Sequence, residues 1–178
     1  MELDWKRLFE EMHPGFFERE NIRAIDPDSI HSEMILPLKS TVPMPPVPVR
    51  DSVRYAYWDG DPDLLYRAVE KVVPAWVPIY RESSDRVLCG TENGEILCFC
   101  MVEDMGTHMG LRIAGPGCVG TVPEARRQGV GLRMVQLATE ILRIENRDLS
   151  YIHYTGVAPW YAKLGYRTVL RWKRDGIL

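Results

Sequence analysis

The chain has little that would tie it to nucleic acid, a membrane or an oxidising exterior. Its formal net charge is −3, whereas a nucleic-acid-binding domain shows a strong basic excess. No apolar run approaches the roughly 18 residues that span a bilayer. Met1-Glu-Leu-Asp-Trp5 carries neither the basic nor the apolar region of a secretory leader. The expectation is a cytoplasmic protein with no nucleic-acid or membrane partner. Cysteine is scarce: the four at 89, 98, 100 and 118 have neither zinc-ligand spacing nor the framework of a secreted disulfide domain. Cys98 and Cys100 flank Phe99 in an apolar run and read as free thiols on one strand face, so no metal site is expected. No Gly-Lys-Ser/Thr occurs anywhere, which removes the P-loop. There are no internal repeats, and the single biased tract is a cluster of prolines.

What is present is ordinary for a globular domain. With 178 residues and 46% hydrophobic content, one domain plus an extension is expected. A chain of this length buries roughly 70% of its unfolded surface and needs no staples. Residues 1–50 are set apart as the extension. Trp5, Leu8, Phe9 and Met12 recur with helical spacing up to Pro14-Gly15. Residues 30–38 read as a short strand, and Pro43, Pro45, Pro46 and Pro48 enforce an extended linker. The extension packs over the domain; read functionally, it walls an acceptor pocket or contacts a second copy in a homodimer.

From residue 51 the order is regular. Residues 53–58 read as a strand, and Leu64, Leu65, Ala68 and Val72 as a helix with Pro62 in its first turn. Residues 74–80 suggest a second short helix. Residues 86–90 and 95–102 read as strands joined through Glu92-Asn93-Gly94, a hairpin signal. Residues 111–122 form the central strand, with a bulge expected at Gly115-Pro-Gly117. A helix over 132–144 buries Met134, Leu137, Ala138 and Ile141, with Arg133, Gln136, Glu140 and Arg143 on a solvated face. A strand over 151–155, a helix at Tyr161 and a strand over 166–172 close the chain.

The most informative stretch is Val119-Gly-Thr121-Val-Pro-Glu-Ala-Arg126-Arg127-Gln128-Gly129-Val130-Gly131, running into the helix at Leu132. A β-branched entry, a basic-glycine turn and a helical pattern describe a strand feeding a helix N-terminus. There the first N–H groups lack partners and the macrodipole adds partial positive charge. Gly129 and Gly131 let a ligand oxygen approach the main chain, and Arg126 and Arg127 add cations. Such a turn suits a phosphate or pyrophosphate.

The order Arg126-x-x-Gly129-x-Gly131 resembles motif A of the GNAT (Gcn5-related) acetyltransferase superfamily. Ala158-Pro-Trp-Tyr161-Ala-Lys163-Leu-Gly165-Tyr166, about thirty residues on, resembles its motif B. The resemblance is specific over residues 119–170. It implies an α/β GNAT acyl-CoA N-acyltransferase fold over residues 51–178, with a mixed sheet of six to seven strands, splayed middle strands and flanking helices. One closing strand looks short or missing, and residues 30–38 are a candidate replacement.

The resemblance further implies acetyl-CoA between the strands at 111–122 and 151–155, and direct transfer of acetyl to the primary amine of a small molecule. Main-chain groups at Val119 and Thr121 would bond the pantetheine, and the amides between Arg127 and Leu132, Gln128 and Val130 included, the pyrophosphate. An N–H near Cys118 or Val119 would polarise the thioester carbonyl. Tyr161 stands where the family places the proton donor for the leaving thiolate. A lysine-like amine is protonated at pH 7 by about 3.4 units, so a base or a desolvating pocket is needed. Glu103, Asp104, His108 and His153 are the candidates, with His153 on the second splayed strand. Two departures stand out: Tyr154 replaces a cofactor-contacting Asn of many relatives, and the central strand lacks the acid that serves some as base. The alternative reading is a catalytically silent acyl-CoA-binding sensor.

Overall fold

The computed structural model describes residues 3–178. Its centre is one sheet of eight strands: β1 (His31–Pro37), β2 (Arg54–Tyr57), β3 (Arg86–Glu92), β4 (Glu95–His108), β5 (Leu111–Thr121), β6 (Leu149–Thr155), β7 (Arg167–Lys173) and β8 (Gly176–Ile177). Their order is β2-β3-β4-β5-β6-β1-β7-β8, and only β5 and β6 run parallel. The helices are α1 (Trp5–Met12), α2 (Glu20–Arg23), α3 (Pro62–Val72), α4 (Val77–Glu82), α5 (Val130–Ile144) and α6 (Ala158–Ala162). Among the described residues no helix is long and apolar enough to cross a membrane.

Alternation along β4 sorts the layers. Phe99 meets Tyr80 of α4 edge-on at 5.5 Å, whereas the Cys98 thiol points to the Val130 carbonyl at the start of α5. Strand side chains alternate between faces, so α4 and α5 lie on opposite sides. Leu8 of α1 packs with Ile35, Ile113, Leu149 and Tyr151. Ile152, the next residue along β6, packs with Val135 of α5 and with Tyr161. The turns follow local chemistry. Asn93 and Gly94 have φ of 51° and 83°, the left-handed pair that a two-residue hairpin requires. Met109 and Gly110 repeat it at 49° and 78°, which carries β4 to His108, six residues beyond the strand expected from sequence.

Several expectations are corrected. The sheet has eight strands where six to seven were expected, the additional one being the two-residue β8. The strand expected over residues 30–38 does join the sheet, but as an interior strand rather than a closing one: β1 lies between β6 and β7, antiparallel to both. Its Met34 and Ile35 are fully buried, which an apolar Met-Ile-Leu run achieves only with neighbours on both sides. The bulge falls at Cys118-Val119, where Met101 opposes Gly117 but Phe99 opposes Gly120. Cys118 there has φ 44°.

The polar stripe of α5 is not wholly solvated. Gln136 is buried and its Nε2 donates to the Pro45 carbonyl at 2.9 Å, while Arg143 Nε donates to the Leu38 carbonyl at 3.1 Å. The first bond holds the proline-rich linker, and the second the end of β1, against the helix. Rigid, N–H-poor proline segments leave carbonyls that need outside donors.

Candidate active site

β5 and β6 pair only at Ile113↔Leu149 and Ala114↔Ser150. They still touch one residue on, since a Cβ on Gly115 would lie 1.9 Å from the Tyr151 carbonyl oxygen. Beyond that point they separate, and among the described residues the β6-facing edge of residues 117–121 has no strand partner. The Cys118-Val119 bulge also takes these two residues out of the β4 ladder. Tyr80 donates its hydroxyl to the Cys118 carbonyl at 2.7 Å, fixing the bulge.

The gap ends at the basic-glycine turn. Arg127 and Gly129 are both left-handed, with φ of 63° and 77°. The first intrahelical bond runs from Arg133 N–H to the Gly129 carbonyl at 3.0 Å, and no side chain caps α5. The N–H groups of Val130, Gly131 and Leu132 therefore open outward, as an anion site needs. A Cβ on Gly131 would stand 2.3 Å from Thr121 Oγ1, so glycine is required for strand and helix to meet. A crevice of about 610 Å³ is lined by Thr121, residues 125–132, Pro48, Trp160 and Lys163. Its glycines, open amides and cationic side chains fit a diphosphate.

Two predicted ligands are partly engaged within the protein. Arg126 Nε donates to the Thr121 carbonyl at 3.2 Å, leaving its terminal nitrogens for a ligand. Gln128 donates to the Glu124 carbonyl at 3.0 Å and accepts from Arg50. Pro48, Trp160 and Lys163 were not singled out from sequence, although Lys163 lies in the second motif.

Tyr161 sits on α6, which Gly165 terminates at φ 91°. It packs in one cluster with Ile152 of β6, and Val119 of β5 rests against that cluster. Its ring meets Trp160 edge-on at 4.9 Å. Burial pushes its hydroxyl well above the ordinary phenol value, so it stays a proton donor at neutral pH. The Cys118 thiol is pushed up to about 12, chiefly by burial, which keeps it protonated and unreactive.

The opposite face of the gap carries ionisable groups. Glu103 lies over Gly117: a Cβ there would stand 1.8 Å from its Oε1. The carboxylate over this stretch of the central strand thus comes from its neighbour β4. Burial raises the Glu103 carboxyl, Asp85 adds to the rise, and His153 opposes it. His153, on the same face of β6 as Tyr151, bonds Glu33 through Nδ1 at 2.9 Å. The remaining base candidates are tied up elsewhere. Asp104 is clamped by Arg147 at 3.0 and 2.7 Å. The His108 ring bonds the Met105 carbonyl at 2.8 Å and faces Glu11 at 3.4 Å.

No protein-family model and no curated protein matches this chain. Among solved structures, a GCN5-related glucosamine N-acetyltransferase region of a fungal multi-domain GH3 β-N-acetylglucosaminidase superposes with TM-score 0.66 at 19% identity, over 82% of this chain and 20% of that one. A GCN5-related N-acetyltransferase from Sphaerobacter thermophilus gives 0.64 at 18% identity, over 95% and 54%. One from Kribbella flavida gives 0.55 at 17%, over 89% and 62%. The chain thus spans about a fifth of the first of these and about half of the second.

Proposed function

We propose that this chain, which has the GCN5-related N-acetyltransferase fold, transfers acetyl from acetyl-CoA to the primary amine of a small molecule. The observation that carries the reading is the gap between β5 and β6, open after two residue pairs and leading straight to the uncapped N-terminus of α5. A thioester carrier with a diphosphate fits such a slot, its amides along an unpaired strand edge and its phosphates on open N–H groups.

In this reading Val130, Gly131 and Leu132 bind the pyrophosphate through main-chain N–H, with Arg126, Arg127 and Lys163 as counter-charges. The unpaired edge at Val119 and Thr121 holds the pantetheine. A bulge N–H at Cys118-Val119 faces the thioester carbonyl, where a preorganised donor stabilises developing negative charge. Bound acetyl-CoA supplies an activated acyl group. Glu103 draws a cationic acceptor to the gap, where the ammonium first gives up one proton to solvent and so exposes the lone pair that attacks. His153 takes the amine proton as the C–N bond forms, and Tyr161, from the other face, protonates the departing sulfur. The proton lost by the amine so ends on the thiol, with His153 and Tyr161 restored through solvent.

The test is release of free coenzyme A thiol from acetyl-CoA in the presence of amino sugars, polyamines, aminoglycosides and peptide N-termini. Amine-dependent release above the hydrolysis background supports the reading. Tight acetyl-CoA binding without turnover on any amine would instead identify an acyl-CoA-binding module.

A further inference from the structure

We infer that Glu33 is a positioning residue for His153, so that the N-terminal segment completes the site; the inference rests on the acetyl-transfer reading above. Glu33 is fully buried in β1, the strand between β6 and β7. A carboxylate is buried only where donors satisfy it, and here they converge. Its Oε1 accepts from Trp172 Nε1 at 2.7 Å and from the Tyr154 N–H at 3.2 Å. Its Oε2 lies 2.9 Å from His153 Nδ1.

Glu33 already accepts from two donors, and we assign it the same accepting role toward His153, which puts the hydrogen on Nδ1 and the lone pair on Nε2. This is the arrangement by which a buried acid fixes a histidine's tautomer and stabilises the imidazolium formed on proton uptake. The ring itself is 26% exposed, so its free nitrogen is reachable. His13 stacks on it at 3.9 Å with 14° between planes. Phe16 covers it edge-on at 5.3 Å. The ionisable groups around His153 are Glu33 from β1, His13 after α1, Glu103 from β4 and Tyr154 beside it on β6, with Tyr151 bonded to Glu33 and Arg19 and His108 behind His13.

One nitrogen each of His13 and His153 and one oxygen of Glu33 lie within 4.8 Å of one another, which makes a metal ion the competing occupant. The stack argues against it. Ring lone pairs lie in the ring planes, and two nearly parallel planes 3.9 Å apart do not meet at one ion.

Two readouts on Glu33→Gln and Glu33→Asp test the inference. By ¹⁵N NMR of histidine-labelled protein, wild type should show His153 with hydrogen on Nδ1. Glu33→Gln, whose amide can donate to Nδ1, should shift the ring toward the other tautomer. With the best acceptor, kcat in Glu33→Gln should fall about a hundredfold with KM within threefold, and the acidic limb of the kcat/KM profile should move to lower pH. Glu33→Asp should recover part of the rate, and Glu33→Gln should add little to a His153→Gln background. A folded Glu33→Gln protein with unchanged tautomer and pH profile overturns the inference. So does wild-type activity that a chelator abolishes and zinc restores. Should wild type acetylate no amine while the tautomer still depends on Glu33, the acetyl-transfer reading fails and the pairing stands.

Discussion

Glu103 occupies the space that a side chain at Gly117 would need: a Cβ there would lie 1.8 Å from Oε1 and 2.3 Å from Cδ of the carboxyl. Two strands thus share one position, the acid coming from β4 and the vacancy from β5. Gly117→Ala must push the carboxyl aside, an overpacking cost of about 1–3 kcal/mol. It should raise KM for a cationic acceptor about tenfold, as should Glu103→Gln, while acetyl-CoA affinity is kept. Steady-state kinetics with the acceptor varied checks this; unchanged KM in both variants would remove Glu103 from acceptor binding.

Tyr161→Phe keeps the ring packing against Trp160 and Ile152 and removes only the hydroxyl. Loss of a general acid costs roughly 10²–10⁴-fold, and a thiolate is a fair leaving group, so a fall near a hundredfold in kcat is expected. Acetyl-CoA affinity, read by calorimetry, should hardly move. Near-normal turnover in the folded variant would make Tyr161 a packing residue.

Arg126→Ala removes a cation at the crevice together with the bond from Nε to the Thr121 carbonyl. One charge-assisted contact is worth about 1–3 kcal/mol, so acetyl-CoA binding should weaken several-fold to about a hundredfold. Sensitivity to salt should fall with it, since a screened charge has been lost. Unchanged affinity would place the phosphates elsewhere.

His13 gives the fold an acid-sensitive seam. Burial above all, then His153, Arg19 and His108, lowers it from 6.5 to about 3. Below pH 6.5 the unfolded chain takes up a proton that the folded chain refuses, so its contribution is complete above 6.5 and lost as pH falls toward 3. One proton sets a limit of about 1.4 kcal/mol per pH unit, and partial solvation of the ring reduces it. His13→Phe, which keeps the stack, should lose less stability than wild type between pH 7.5 and pH 5 in urea titrations. Equal losses would show that His13 does not set the acid response.

Sequence exposed local structure where its cause is local. Arg126-x-x-Gly129-x-Gly131 is legible as a turn into a helix because a left-handed glycine and an uncapped helix start need no distant partner. Asn93-Gly94 reads correctly for the same reason. What escaped depends on pairing far along the chain. Nothing in His31-Ser-Glu33-Met-Ile-Leu says that the segment inserts between β6 and β7, so the buried Glu33 passed as part of a polar lead-in. Glu103 stands out in sequence as a candidate base, but its place over Gly117 follows from the β4–β5 register. Gly115-Pro-Gly117-Cys-Val-Gly120 even spells G-x-G-x-x-G, yet it runs inside β5, where no helix N-terminus follows it directly.

The central claim is that acetyl-CoA binds on the amides opening from Gly129 to Leu132, and calorimetric titration of wild type beside Gly129→Val tests it most directly. Gly129 has φ 77°, a conformation that a β-branched residue resists. The amides should therefore turn from their present aim. Saturable binding to wild type, weakened well over tenfold in a Gly129→Val protein whose melting temperature shows it folded, is the predicted result. Equal affinity in the two proteins, or no binding to wild type, would contradict the account.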